Sequence, residues 1–384
     1  MRRSGPAVLL GLVAACHAPP PSEPAVSAPR VVPAGGLGVW TGHDDVAPSA
    51  LPPGGLAPAQ VPQLVAIGFD DNGVSGLPGS GTQGGVSWVT GQLYGTRKNH
   101  DGSPAHATFY LTSHYATPEV SGAGAPYTLT AWKDAFAAGH ELGDHTHTHP
   151  HGNQFSVAEW QAEMQKCLDL VSAQVLPRAQ IVGFRTPFLE WNDNTFVAAT
   201  GLGFRYDCSI EDGSDASESG ASYHWPYTLD RGSPGADAVK PHPGLWEMPA
   251  HPVIVPPDEA CAAYGVPPGL RAKMKKAQDY FDVSTGKITG ADWNLWIEFG
   301  MTRAEFVATL KYTLDLRRRG NRAPMMLVGH SDIYSDREDE PTHATLEERQ
   351  AGLAEFLDYA LAQPEVRVVS VRDVLDYVRN PSPL

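Results

Sequence analysis

The chain has 384 residues, 42% of them hydrophobic and 18% charged, enough for one large domain or two ordinary ones. A formal net charge of −15 excludes the basic footprint of a nucleic-acid binder and argues against adhesion to an anionic membrane surface. With 39 Gly and 34 Pro, its loops must be long or numerous.

Met1-Arg2-Arg3 is a basic start, and the apolar run Ala7 to Ala15 is too short to span a bilayer. It ends in Val13-Ala14-Ala15-Cys16, which resembles the lipobox of bacterial lipoproteins, where the signal is cleaved before an acylated Cys. The expectation is an exported protein of a bacterial cell envelope, facing periplasm or cell surface, whose only membrane attachment is that lipid. Residues 1–16 read as the signal, 17–60 as a Pro/Gly/Ala-rich tether and 61–384 as one folded domain. Export places Cys167, Cys208 and Cys261 in an oxidising compartment, with at most one disulfide among them. No CxxC pair exists, so cysteine-based zinc is unsupported.

From residue 61 onward, strand-like runs at 64–69, 106–112, 181–184, 325–329 and 366–369 alternate with amphipathic helices, the pattern of an α/β protein with parallel strands. Capping boxes predict four helix starts, at Ser156/Glu159, Thr302/Glu305, Thr345/Glu348 and Ser370/Asp373. Trp160, Met164, Cys167, Leu168 and Val171 share one face of the first, which makes Cys167 a buried small hydrophobe. Two Gly- and Pro-rich regions, Gly73–Asp101 and Glu211 to about Ile297, resist this reading and look like insertions over an active face.

Residues of metal-binding and catalytic type stand at the ends of apolar runs. Asp70-Asp71 closes Leu64–Phe69, His145-Thr146-His147-Thr148-His149 follows Gly143-Asp144, Arg185 follows Ile181–Phe184, and His330 ends Met325–Gly329. Taken singly, each has a plain explanation: a turn, a surface tract, a snorkelling arginine, a satisfied core histidine. Together they predict a metal site on the C-terminal edge of a barrel. His145 and His149 share a face if their segment turns helically; if it is extended, His145, His147 and His149 all point one way.

In their order these segments resemble the polysaccharide deacetylases, carbohydrate esterase family 4. Tyr206-Asp207-Cys208-Ser209, Trp225 to Asp230, Pro243 to Met248 and Asn321 to Pro324 are similar to the animal-type chitin deacetylase branch. The resemblance implies a distorted (β/α) barrel of about seven strands holding Zn²⁺ or another divalent transition metal such as Co²⁺. Asp71, His145 and His149 would be the metal ligands, with His147 an extra candidate. Asp70 would be the general base, Arg185 its partner and His330 the general acid. The backbone amide of Phe188 would hold the oxyanion. Asp207, or Trp225 with Asp230, would orient His330, and Trp225 and Trp246, with Trp88, Trp132 and Trp191, are candidate sugar platforms. The implied reaction is N-deacetylation of a polymer or oligomer containing N-acetylglucosamine, with chitin ahead of peptidoglycan. O-deacetylation of xylan and a non-catalytic carbohydrate-binding lipoprotein are the alternatives. Two departures stand out: Gly68, where the family motif usually has Thr, and Asn72-Gly73, where many members have Gly-Pro.

Overall fold

The computed structural model describes residues 31–73, 84–212, 219–336 and 343–384; the signal segment, Cys16 and the start of the expected tether lie outside them. A nine-stranded sheet dominates. Strands β1 (Gln63–Asp70), β2 (Thr108–Leu111), β3 (Glu141–Asp144), β4 (Gly183–Phe184) and β5 (Tyr206–Asp207) follow one another in space. Next come β6 (Tyr227–Thr228) and β7 (Trp246–Glu247), then β8 (Val253–Ile254) and β9 (Lys287–Ile288), a separate antiparallel pair. The chain ends with β10 (Met325–His330) and β11 (Val366–Val368). The order is β10-β1-β2-β3-β4-β5-β7-β6, with β11 also pairing β1. Every pairing in this sheet is parallel except that of β6 with β7. The result is a curled, mostly parallel half-barrel, which agrees with the expected distorted (β/α) barrel.

The pleat of β1 assigns its side chains to two cores. Val65, Ile67 and Phe69 join the cluster that includes Trp132, Trp160, Phe196, Phe306 and Phe356 from the flanking helices. Leu64 and Ala66 face a second cluster with Tyr110, Tyr206, Trp246 and Met326. All four predicted capping boxes are present, opening the helices Val157–Gln174, Arg303–Arg319, Leu346–Leu361 and Val371–Arg379. Each cap satisfies amides that have no partner within the helix, a contribution of about 1 kcal/mol apiece. Cys167, Cys208 and Cys261 are buried free thiols, so none of them pairs.

The expected tether differs from residue 31 onward. Val32 and Val46 are buried in the second core, and Val46 pairs its backbone with Thr228. The buried Asp44 accepts hydrogen bonds from Trp246 Nε1 at 2.9 Å and Arg379 Nε at 2.6 Å. A Pro- and Gly-rich composition therefore describes an extended arm bound to the domain, held by a buried ion pair and two valines. Among the described residues no helix is long and apolar enough to cross a membrane.

Candidate active site

The strands end on one edge, and the predicted residues meet there. In the β1–β10 register Asp70 lies directly beside His330. One residue past the end of β3 is His145, and one past β4 is Arg185. Asp70, Asp71, His145, His149, Phe188 and His330 all line one open cavity of about 580 Å³.

Local backbone chemistry sets these directions. Asp71 and Asn72 both take left-handed conformations, with φ of 66° and 62°. Asn tolerates that region better than most residues. Asn72 is fully buried, and its Nδ2 donates to Phe69 O at 2.7 Å and Tyr110 O at 2.8 Å, tying the end of β1 to β2. Trp132 Nε1 donates to Asn72 O at 3.0 Å. Thus one departure from the family motif is a turn with its own anchor, and Trp132 is a core residue.

The histidine segment is neither helical nor extended. Thr146 and His149 have φ of 70° and 57°, which reverses the chain and brings His145 and His149 together. Asp144 Oδ1 accepts the Thr146 amide, and Glu163 Oε2 accepts the amides of His147 and Thr148. His147 turns away: its Nδ1 bonds Ser113 Oγ at 2.8 Å and its ring stacks on His114. It is not a ligand candidate in this geometry.

One donor atom from each of Asp71, His145 and His149 lies within 4.8 Å of the other two. Asp71 Oδ1 is 2.9 Å from His149 Nε2 and 3.5 Å from His145 Nε2, yet this buried oxygen receives no aligned hydrogen bond. His145 Nδ1 bonds Arg185 O at 2.8 Å, which directs Nε2 to the cluster, and burial lowers its pKa to about 4, keeping it neutral. Two imidazoles and a carboxylate that converge on one point fit a divalent cation of zinc type.

Arg185, fully buried, donates from Nη1 to Asp70 Oδ1 at 2.8 Å and to Gly68 O at 3.1 Å. Its guanidinium lies over the Tyr110 ring, 4.3 Å from the centroid. Burial opposes its charge, but Asp70 overrides this and raises its pKa. A Cβ on Gly68 would lie 2.8 Å from Arg185 Nη1 and from Tyr110 Cε2, so the second departure from the family motif makes room for this clamp.

His330 is oriented by Asp292, which the sequence reading missed. Asp292 Oδ1 is 2.9 Å from His330 Nδ1, and Oδ2 accepts the His330 amide at 3.1 Å. Burial works against protonation of His330, but the Asp292 hydrogen bond and charge, then Asp71 and Asp70, raise its pKa to about 10. Asp207 instead bonds Ser209, and it sits beside Glu247 in the β5–β7 register. Asp230 accepts the Gly244 amide at 3.1 Å. Neither orients His330.

The aromatic expectations divide. Phe188 is 52% exposed at the cavity, held at φ 58° and flanked by His149 and His151. Trp246 is fully buried and spends its indole N–H on Asp44, while Trp225 is buried against the N-terminal arm. Both are core, as are Trp88 and Trp132; Trp191 packs on Phe196. Trp293, next to Asp292, is 39% exposed and lines the cavity. Its only sequence signal was the pairing of an acid and a tryptophan inside a region that resisted assignment.

A parallel sheet edge carrying a His₂–Asp cluster, a clamped carboxylate and an Asp–His pair defines a hydrolase-type centre. Residues 59–206 match the family model for polysaccharide deacetylase. Chitin deacetylase 8 of Bombyx mori is 25% identical over 350 residues, covering 86% of this chain and 74% of its own length. Chitin deacetylase 1 of the same organism is 25% identical over 164 residues, covering 41% and 27%. A solved structure from Mycobacterium smegmatis, assigned as a polysaccharide deacetylase, aligns with a TM-score of 0.49 at 16% identity, covering 88% of this chain and 95% of that one. Residues 59–206 thus carry a polysaccharide deacetylase domain of the carbohydrate esterase family 4 type, the type of hydrolases acting on amide or ester bonds.

Proposed function

We propose that the protein is a zinc-dependent N-deacetylase that releases acetate from N-acetylglucosamine units of chitin or its oligomers. The observation that carries this reading is the cavity in which the Asp71–His145–His149 cluster stands between Asp70 and His330. Asp71, His145 and His149 hold the cation. When bound, the cation supplies Lewis acidity toward a carbonyl and toward water. Asp70, held in place by the Arg185 hydrogen bond, accepts the proton of the attacking water. Phe188 contributes its backbone amide to the developing oxyanion. His330, held protonated by Asp292, delivers a proton to the departing amine, without which the amide bond does not break. Phe188 and Trp293 offer exposed rings to a sugar face. The chitin assignment rests on the similarity to the two silkworm chitin deacetylases.

Acetate release from chitin oligomers, peptidoglycan and acetylxylan, each with and without chelator, tests the reading. Chelator-sensitive release that is fastest on chitin oligomers is expected. Sugar binding without acetate release from any of the three would leave a carbohydrate-binding protein instead.

A further inference from the structure

A second cavity, of about 440 Å³, adjoins the active-site cavity. The two share Phe188, Leu189, Gly290 and Asn294 in their walls, so together they form one groove leading away from the catalytic edge. The volume lies within the range of about 300–1,000 Å³ typical of small-ligand clefts. Most of its lining comes from the Glu211–Ile297 region rather than from the barrel strands.

The lining of this extension has a definite character. Tyr280 is 62% exposed, and its hydroxyl donates to Glu298. Asn294 Nδ2 also donates to Glu298, at 2.6 Å, fixing that carboxylate at the seam between the two cavities. Glu211 and Asp282 line the same space, against a single cation, Lys287. Burial raises the Glu211 pKa above the ordinary carboxylate value, yet three carboxyl groups against one ammonium still leave a negative wall around an exposed aromatic ring. A neutral N-acetyl sugar gains from the ring alone. A sugar bearing an ammonium group gains from both ring and charge.

Accepting the proposed deacetylase function, each turnover converts a neutral acetamido unit into one that carries an ammonium group. We infer that the groove beside the catalytic cavity, built by Tyr280, Glu211, Asp282 and Glu298, is a subsite for an already deacetylated glucosamine unit. A chain deacetylated once is then held by its new charge while a neighbouring unit occupies the metal cavity. The enzyme favours partly deacetylated oligomers and clusters its products.

The test is direct binding of the unacetylated chitosan tetramer and the fully acetylated chitin tetramer to the zinc-loaded full chain, by calorimetry, at low and raised salt. Tighter binding of the unacetylated tetramer, weakened by salt, is expected. In the Glu211→Gln/Glu298→Gln variant the ratio of the two affinities is expected to fall about three- to tenfold, the scale of two partly exposed charge pairs. Because the readout is a ratio within one folded protein, a general loss of binding does not mimic it. Equal affinities, a preference for the acetylated tetramer, or a ratio unchanged in the variant overturns the inference. Acetate release is followed in parallel. Release without the charge preference rejects the subsite and leaves the deacetylase reading standing. The charge preference without release rejects that reading while the amino-sugar site stands.

Discussion

Asp292 grips His330 at two points, 2.9 Å from its Nδ1 and 3.1 Å from its backbone amide. The carboxylate thus fixes both the ring plane and the protonation state, and Nε2 is left as the atom that can face a substrate. The pair joins the end of β10 to a loop nearly forty residues upstream in sequence.

In the proposed reaction His330 is the proton donor, and a donor must be charged to act, so activity is expected to fall as pH rises through its pKa. That pKa lies at about 10 chiefly because Asp292 outweighs the cost of burial. Asp292→Asn removes the charge but keeps an acceptor for the amide. The alkaline limb of kcat against pH is expected to move to lower pH, with the rate at neutral pH falling on the order of tenfold or more. An unmoved alkaline limb would assign Asp292 a purely structural role.

The barrel and most of the site were legible because they are local. Asp70, Asp71, Arg185 and His330 each end an apolar run, and a parallel sheet brings strand ends to one edge whatever the loops do. What was not legible depended on the insertions. Asp292 and Trp293 lie in an irregular stretch with no period, and only the tertiary contact with β10 gives them a role. Trp225 and Trp246 were misplaced because tryptophan in a sugar enzyme suggests a platform, whereas here both are buried in the second core with the N-terminal arm. The arm from residue 31 was masked by composition: Pro and Gly say that a segment is not helical, not that it is unbound.

The two adjacent aspartates have different partners, Arg185 for Asp70 and the two histidines for Asp71. Asp70→Asn is expected to abolish acetate release while bound zinc stays near one equivalent by elemental analysis. Asp71→Ala is expected to lose both. Zinc lost from the Asp70 variant and kept in the Asp71 variant would mean their roles are reversed.

Gly68 is small because Arg185 occupies the space where a Cβ would stand. Gly68→Ala puts a methyl against the guanidinium and the Tyr110 ring, an overpacking expected to cost about 1–3 kcal/mol in urea unfolding. The larger effect falls on kcat, since displacement of Arg185 releases its hold on Asp70. A variant that is destabilised yet fully active would show that the clamp is dispensable to the base.

Glu247 and Asp207 are neighbouring, fully buried carboxyls on β7 and β5, and Glu247 Oε2 has no hydrogen-bond donor other than a proton shared with Asp207. Burial first, and then the charge of Asp207, pushes the Glu247 pKa well up. The sign follows from linkage. Above the ordinary carboxylate range the unfolded chain has released a proton that the folded pair still holds, so stability falls as pH rises. Glu247→Gln fixes the neutral, hydrogen-donating form and removes that slope. Urea midpoints of the two proteins are therefore expected to diverge progressively as pH is raised from the acid side toward neutrality and beyond, with the variant increasingly favoured. His145 and His140, whose pKa values burial lowers to about 4, bend both curves alike and cancel in the difference. Parallel curves would show that the pair holds no extra proton in the folded state.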